Sequence, residues 1–220
     1  MALKKWAFIA LVHGLSMSCI GLDPLPLRVE TELIDASRVD DLDKVSLLVD
    51  AGADLNLQGQ DGRSALIEAS FKGHIEVVTL LIGAEADLNL QDQYGRTALM
   101  AAIGEEHIEV AKLLINAGAG VNMSRPDGGT ALMALCCCGG DVEVAQLLIN
   151  AGADVSVQTT EGYTSVLAAS SMGYAEIVNL LINAGADVSV QTTEGDTPLS
   201  LARESGHSEV IQLLEDAGAQ

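Results

Sequence analysis

Aromatic residues are scarce in this sequence. Only 3% of the 220 residues are Phe, Trp or Tyr, although 49% are apolar. A chain of this length and apolar content can bury a substantial core, which argues against disorder for most of the chain. Because Ala, Leu, Ile and Val must build that core, we expect many thin helical layers rather than one thick core.

Basic residues are few as well. Eleven Lys and Arg stand against 31 Asp and Glu, which gives a formal net charge of -20. Such a charge repels the phosphate backbone of nucleic acids and anionic lipid surfaces. Nucleic acid is therefore a poor candidate partner. The acidic side chains either keep the protein soluble or attract a partner with a basic patch.

The short motifs of common enzyme chemistry are missing. The sequence has no GxxxxGK phosphate loop, no HExxH metal motif, no CxxC pair and no GxSxG nucleophile turn. Acidic pairs such as Glu105 and Glu106 fall in predicted turns between helices, where a solvated role is expected rather than acid–base catalysis. We therefore expect neither enzyme activity nor a cofactor.

The first residues differ from the rest of the chain. Lys4 and Lys5 precede an apolar run, residues 6–17, that ends in small residues before Cys19. This pattern predicts an export signal over residues 1–19, followed by a spacer over residues 20–28. The run would span about 18 Å as a helix, well short of the roughly 30 Å hydrocarbon layer, so we expect no transmembrane segment in the mature chain.

The letters LSMSC resemble a bacterial lipoprotein signal, in which Cys19 would receive a lipid anchor and become the new N-terminus. The match is imperfect because Ser16 occupies the place where a residue such as Leu is preferred. Plain signal cleavage and a buried amphipathic start are the alternatives. Export would place the protein in the periplasm or on the envelope of a bacterium, and the alternative location is the cytoplasm.

One stretch of the sequence occurs twice without change. The letters LLINAGADVSVQTTEG stand at residues 147–162 and again at 180–195. Related words recur through the chain with a period of 33 residues and one step of 34. The first word reads AGADLN at 51, AEADLN at 84, AGAGVN at 117, AGADVS at 151 and 184, and AGAQ at 217. The second reads GRSAL at 62, GRTAL at 95, GGTAL at 128, GYTSVL at 162 and GDTPL at 195.

Each unit predicts a pair of helices. A hydroxyl residue suited to capping begins the first helix, at Ser64, Thr97, Thr130, Thr164 and Thr197. Runs such as IEVVTLLI then give apolar residues at the spacing of a second helix, which a left-handed Gly ends. Glu85 replaces that Gly in one unit, where a left-handed backbone would cost about 1 kcal/mol or more. We therefore expect Gly83 to let this helix end differently.

These words and their period resemble the ankyrin repeat, in which a T-P-L-H-like word opens the first helix and a GAD-like word closes the second. The resemblance covers residues 29–220 and implies an all-α ankyrin-repeat solenoid of stacked helix-turn-helix units with short β-hairpin fingers, expected to be a monomer. Six units are predicted, at about residues 29–56, 57–89, 90–122, 123–156, 157–189 and 190–220. The first, with a polar turn at residues 37–43, and the last are typical of capping repeats, so we expect a complete array.

No unit keeps the His of the family's T-P-L-H word. Apolar residues replace it at four of five places, so we expect apolar packing there instead of the hydrogen bonds of that His. The residues at these places are Ile67, Met100, Met133, Leu167 and Ser200. Three other histidines, His74, His107 and His207, share one position at the start of the second helix. This regular placement indicates a structural role rather than a metal site.

The resemblance implies that the hairpin tips and the first helices line a concave surface that holds other proteins. Aromatic and Arg side chains dominate binding energy when they are desolvated. The predicted anchors are therefore Phe71, Tyr94, Arg96 and Tyr163, with Gln93 and Thr160 on the same tips. A basic patch on the partner is predicted to meet Asp127, Glu161, Glu194 and Asp196, so that association slows with added salt. The alternative is that these are ordinary surface residues.

Three consecutive cysteines, Cys136, Cys137 and Cys138, form the oddest local feature. Consecutive residues of a helix point about 100° apart, so they do not easily converge on one metal ion. Small apolar packing with an exposed bystander is the preferred interpretation, and redox chemistry or a disulfide is the alternative. Two functions follow: a non-catalytic protein-binding scaffold, such as an exported bacterial adaptor, inhibitor or effector, or a redox- or metal-linked accessory protein that uses this cluster.

Overall fold

The computed structural model describes the backbone of residues 25–219 and the side chains of residues 31–219. The predicted export signal and the lipidation site Cys19 lie outside the described residues. Twelve α-helices occupy the described part of the chain. They are α1 (Leu25–Arg38), α2 (Leu42–Asp50), α3 (Ala65–Lys72), α4 (Ile75–Gly83), α5 (Ala98–Gly104), α6 (Ile108–Asn116), α7 (Ala131–Cys137), α8 (Val142–Asn150), α9 (Ser165–Met172), α10 (Ala175–Asn183), α11 (Pro198–Ser205) and α12 (Ser208–Asp216).

The helices stack in two parallel rows. Each odd-numbered helix packs on the even-numbered helix that follows it, and each row packs along its own length, α1 on α3 and α2 on α4 through to α11 and α12. None of the described helices has both the length and the apolar character needed to cross a bilayer. The predicted all-α solenoid of stacked helix pairs is confirmed.

Aliphatic side chains of the same register fill the interface between neighbouring helix pairs. One Leu of each even-numbered helix is fully buried from α4 onward, at Leu81, Leu114, Leu148, Leu181 and Leu214. The odd-numbered helices approach closely because Ala dominates their contacts, as at Ala65 and Ala69 of α3. The core is therefore a continuous column of thin layers, which explains why so few aromatic residues suffice.

Hydroxyl caps begin the odd-numbered helices from α3 onward, as predicted. In each case the side-chain oxygen accepts a hydrogen bond from the backbone N–H three residues later, at 3.0–3.4 Å. Such a cap is worth about 1 kcal/mol because it satisfies a donor that the helix leaves unpaired. Thr197 and Ser200 form a reciprocal capping box at the start of α11.

The first unit differs from its prediction at both ends of α1. This helix begins at Leu25, so the end of the predicted spacer, residues 20–28, is helical. Pro26 lies in its first turn, where a missing N–H costs no helical hydrogen bond. The predicted polar turn at residues 37–43 is also shorter, because α1 continues to Arg38 and Asp41 caps α2 through the N–H of Lys44 at 3.1 Å.

The predicted β-hairpin strands are absent from residues 25–219. Only an isolated antiparallel bridge, between Ser124 and Thr130, is found there. A strand ladder needs several successive backbone pairs, but the capping Ser or Thr of the next helix follows each turn at once. Thr130 illustrates this, because it both forms the bridge and caps α7.

The second-helix histidines form hydrogen bonds between units in the absence of a T-P-L-H histidine. The Nε2 atoms of His74, His107 and His207 lie 3.0–3.1 Å from the carbonyl oxygens of Arg38, Phe71 and Ser171, one unit earlier. A carbonyl only accepts, so each ring nitrogen donates. The predicted structural role of these histidines is confirmed.

The ending of α4 contradicts the expectation for Glu85. This residue adopts φ +64°, and the helix ends at Gly83 in the same way as its neighbours end. The backbone geometry of the stack therefore overrides the side-chain preference at this position. A non-glycine residue in the left-handed region costs roughly 1–2 kcal/mol.

We expect Glu85→Gly to stabilise the protein by about 0.5–1 kcal/mol, because relief of the left-handed strain exceeds the freedom that Gly adds to the unfolded chain. Gly118→Ala is the matched opposite change in the next unit, where φ is +88° and an added Cβ meets nothing within 4 Å. It should destabilise by about 1 kcal/mol. Urea unfolding followed by far-UV circular dichroism measures both. Equal midpoints for all three proteins would contradict the strain at Glu85.

Candidate partner-binding face

Five tight turns and the ends of the odd-numbered helices form one continuous surface, which we call the groove face. The turns are residues 59–63, 92–96, 125–129, 159–163 and 192–196, and we call them tips. In each tip the N–H of the first residue donates to the carbonyl of the fifth at 2.9–3.0 Å. This closure holds the outward side chains of the tip in place.

Adjacent tips are joined by backbone hydrogen bonds. The N–H groups of Gln93, Thr160 and Thr193 donate to the preceding tip at 2.9–3.0 Å. Pro126 holds the corresponding place in the third tip and has no N–H to donate. The side chain of Gln91 still bridges this junction, with its Nε2 atom 2.8 Å from the carbonyl oxygens of both Gly95 and Ser124, as Gln58 does one unit earlier.

Asp92 organises the second tip. Its Oδ1 atom accepts from the N–H groups of Tyr94 and Arg96 at 2.9 Å, and its Oδ2 atom lies 2.8 Å from Nη2 of Arg96. The Asp92 side chain is 1% exposed and that of Arg96 is 25% exposed. Arg96, a predicted anchor, therefore presents its remaining surface from a fixed position.

A second buried carboxylate, Glu68 of α3, lies beside it. Both Arg38 and Arg63 approach its Oε1 atom at 3.4 Å, and its side chain is only 3% exposed. Arg63 also reaches Oδ2 of Asp92 at 3.9 Å. The groove face of the first three units thus carries a chain of alternating carboxylates and guanidinium groups.

Phe71 packs within this charged cluster. The guanidinium carbon of Arg63 lies 4.4 Å from the centre of the Phe71 ring, and that of Arg96 lies at 5.8 Å from it and 5.1 Å from the Tyr94 ring. Such cation–π contacts favour Arg stacked on aromatic faces. Three of the four predicted anchors, Phe71, Tyr94 and Arg96, are therefore close together, and Tyr94 is 59% exposed.

The predicted acidic residues divide into two groups. Asp127 already pairs with Arg125 at 2.8 Å, within its own tip. Glu161 and Glu194 are exposed and Asp196 is partly exposed, and no ion pair involves these three within residues 31–219. Thr160 is exposed beside Glu161 on the fourth tip, and Gln93 is exposed beside Tyr94 on the second tip. The role of all these residues in binding stays a prediction.

A recess opens in the groove face between the third and fifth units. It has a volume of about 330 Å³, and its lining includes Arg96, Met100, Gly104, Arg125, Met133 and Cys137. Tyr163, the fourth predicted anchor, lies at its C-terminal side and is 38% exposed. We call this cavity the Gly104 recess.

The three cysteines have different environments. Cys136 is buried, Cys137 is exposed and Cys138 is partly exposed, and all three are free thiols. Burial raises the pKa of the Cys136 thiol well above its ordinary range. Partial desolvation by the surrounding protein and the neighbouring Cys138 also raise the pKa of Cys137, although its side chain is exposed and the charge of Arg125 opposes the shift. A raised pKa leaves less of the nucleophilic thiolate. Within residues 31–219 no group of three or more His, Cys, Asp or Glu side chains could hold a metal ion.

Sequence reasoning missed the part of the groove face built by Arg38, Glu68 and Gly104. Alignment on the helix caps would have found some of it, since Phe71, Gly104 and Cys137 each stand seven residues after a capping Ser or Thr. These three residues therefore share one register position on the groove face. The pairing of Arg63 with Glu68 has no such signal, because it depends on how far a tip reaches over its helix.

Stacked helix pairs with a continuous face of tips and helix ends define a repeat scaffold of the protein-interaction class. The family model for ankyrin repeats matches residues 33–125, 114–192 and 132–220. The chain belongs to the ankyrin repeat family.

Many solved structures are similar to this chain, among them the following two. An ankyrin repeat domain from Acinetobacter baumannii AYE is 30% identical, with a TM-score of 0.79 over 87% of this chain and 100% of that one. A predatory endopeptidase from Bdellovibrio bacteriovorus in complex with an immunity protein gives a match at 28% identity, with a TM-score of 0.72 over 84% of this chain and 96% of the matched chain. A search of curated protein sequences finds no match.

We expect Asp92→Ala to destabilise the protein by about 2–3 kcal/mol, because it leaves Arg96 and two backbone N–H groups without their buried acceptor. Asp127→Ala is the matched change in the next tip, where the side chain is 52% exposed. It should cost less than about 1 kcal/mol. Thermal unfolding of the two variants beside the parent measures the difference, and similar losses would refute the organising role of Asp92.

The cysteine environments predict selective alkylation. Iodoacetamide should label Cys137 and Cys138 in the folded protein, and Cys136 only after unfolding in urea. Labelling of Cys137 at neutral pH should be slower than in the unfolded chain and should accelerate as pH rises, because its raised pKa limits the thiolate. Peptide mass mapping assigns the sites. Faster labelling of Cys137 in the folded state than in the unfolded state would instead support the redox interpretation.

Proposed function

We propose that this protein is a non-catalytic scaffold that binds a protein partner through its groove face, and that it is an exported inhibitor of a peptidase. The single observation that carries the binding proposal is the exposure of Tyr94 and Tyr163 on closed tips. Large aromatic side chains at fixed positions lose little conformational entropy when they bind, so they make effective anchors.

Several features of the groove face support the same anchors. Arg96 has its charge compensated by buried Asp92, so its guanidinium plane can contact a partner without leaving an uncompensated charge. Tyr94 stacks on this plane. Glu161 and Glu194 lie further along the face, where they would attract a basic patch of the partner.

The inhibitor proposal draws on the similarity to the structure of an endopeptidase in complex with an immunity protein. Export and lipidation at Cys19 draw on the leader sequence alone. An inhibitor placed outside the cytoplasm would protect the envelope from a peptidase that acts there. Immunoblots of fractionated cells that express the chain or its Cys19→Ser variant test this location.

A redox- or metal-linked accessory role is the second candidate. The observation that favours it is the position of Cys137 and Cys138 in the lining of the Gly104 recess, where a partner would meet them. The raised pKa of Cys137 weighs against it, because a redox-active thiol is normally a readily formed thiolate.

We expect immobilised chain, residues 20–220, to capture a peptidase from native envelope and soluble extracts. The variant with both Tyr94→Ala and Tyr163→Ala should lose this capture, because each anchor of this kind contributes about 2 kcal/mol. The control variant carries Glu109→Ala and Glu143→Ala on the even-numbered helices, where both residues contact Lys112. It should capture as the parent does.

Added chain should then inhibit cleavage of labelled casein by the captured peptidase. Capture that the tyrosine variant retains would exclude the groove face as the binding surface. Capture of a protein without peptidase activity, lost by the tyrosine variant alone, would leave the scaffold in place and exclude the inhibitor role.

A further inference from the structure

Charge is segregated along the groove face. Eight Lys and Arg residues lie within residues 31–219, and five of them lie on the groove face of the first four units. They are Arg38, Arg63, Lys72, Arg96 and Arg125. The other three pair elsewhere, as Arg203 does with Glu215 of α12 at 2.7 Å. Toward the C-terminal end the same face carries the exposed acids Glu161, Glu194 and Glu204.

The Gly104 recess lies between these two regions. It exists because Gly104 occupies the register position at which α3 carries Phe71 and α7 carries Cys137. An added Cβ at Gly104 would meet no atom within 4 Å. Met100 and Met133 line the recess and are almost completely buried, at 5% and 6% exposure.

The lining favours an aromatic ring over other side chains. Guanidinium groups and thioether sulfurs both make favourable contacts with aromatic rings. Arg96 and Arg125 line the recess together with the two methionines. An aliphatic side chain would pack on the methionines but would make no cation–π contact with the guanidinium groups.

The protein makes the same arrangement internally, one unit away. Phe71 lies near both Arg63 and Arg96, with ring distances of 4.4 and 5.8 Å. Gly104 follows Phe71 in the register, near Arg96 and Arg125. An aromatic ring supplied from outside would therefore extend the contact pattern that Phe71 begins.

We propose that the Gly104 recess receives an aromatic side chain of the partner, within a segment that is acidic on one side of this residue and basic on the other. Charge complementarity orients the segment, with its acidic end near Lys72 and its basic end near Glu161 and Glu194. Lys72 is the relevant cation because the neighbouring arginines already pair with Glu68, Asp92 and Asp127. The inference rests on the proposed function, because it names the recognition element of the same face.

The test uses Cys137, which lines the recess, as a reporter. In the full-length chain with Cys19→Ser and Cys138→Ser, this residue is the only accessible thiol within the described residues, since Cys136 is buried. The probe is a synthetic peptide with two Glu, Gly, Phe, Gly and two Lys, and the control peptide has Ser in place of Phe. At millimolar concentration, the Phe peptide should slow alkylation of Cys137 about twofold, because about half of the recesses are occupied when the affinity is millimolar. The Ser peptide should leave the rate nearly unchanged.

A matched pair of variants locates the effect. Gly104→Phe fills the recess and should abolish the additional slowing by the Phe peptide. Gly83→Phe places the same side chain at the end of α4, where an added Cβ also meets nothing within 4 Å, and should behave as the parent. Equal slowing by both peptides, or none by either, would overturn the recess inference in the parent protein, whatever the variants do.

The captured partner separates this inference from the proposed function. Loss of capture by Gly104→Phe but not by Gly83→Phe supports the recess. If Gly104→Phe retains capture and the variant with Tyr94→Ala and Tyr163→Ala loses it, the recess inference is overturned. The groove face then remains the proposed binding surface. Capture retained by all variants overturns the proposed function itself.

Discussion

A helix pair of this protein can bury its apolar stripe only against the next pair. The unit is too thin to form a core alone, so stability resides in the interfaces between units. This constraint fixes the register of every layer, as the buried column from Leu81 to Leu214 shows. It also explains why the one extra residue falls in the loop of residues 138–141, between α7 and α8. There it reduces the contact between these two helices but leaves the contacts along the even-numbered row as extensive as elsewhere. Even the left-handed backbone of Glu85 follows from the same constraint, since any other helix end would displace the next layer.

The side chains of the groove face can differ from unit to unit, because they do not form the interfaces between helix pairs. Position four of the odd-numbered helices, counted from the cap, carries Glu68 in α3 but Ala101 in α5 and Ala134 in α7. The buried carboxylate draws Arg38 and Arg63 onto the face, because an unpaired buried charge would be strongly destabilising. The alanines leave space, and Gly104 enlarges it. At this position the face changes from a buried carboxylate to alanine within one repeat, although Arg96 and Arg125 still line the recess there. The interfaces behind the face remain aliphatic.

Local and periodic features could be predicted from the sequence. Helix pairs, the hydroxyl caps and the structural role of His74, His107 and His207 follow from short-range chemistry repeated in register. Features that depend on distances between units could not. The cluster around Glu68 needs the reach of Arg63 across its own helix, and the recess needs the knowledge that Phe71, Gly104 and Cys137 face the same side. The prediction of hairpin strands was wrong for a related reason. The family pattern does not say how many residues remain between a tip and the capping residue of the next helix.

The duplicated stretch illustrates how structure and recognition divide the sequence. Asn56, Asn89 and Asn122 accept from the backbone of the following unit at 2.7–2.8 Å, which ties the first four units together. In the two identical copies Ser156 and Ser189 replace them and donate locally to Asp154 and Asp187, which lowers the pKa of both carboxyl groups.

The identity of the two stretches ends at Gly162 and Gly195, and the next residues differ, Tyr163 in one copy and Asp196 in the other. The shared residues thus form the helix end and most of the tip. The first residue that differs is the last residue of the tip. Tyr163 lines the Gly104 recess, whereas Asp196 lies on the next tip, outside its lining. The stack therefore accounts for the identity of the two stretches, and under the proposed function recognition depends on the residue that follows them.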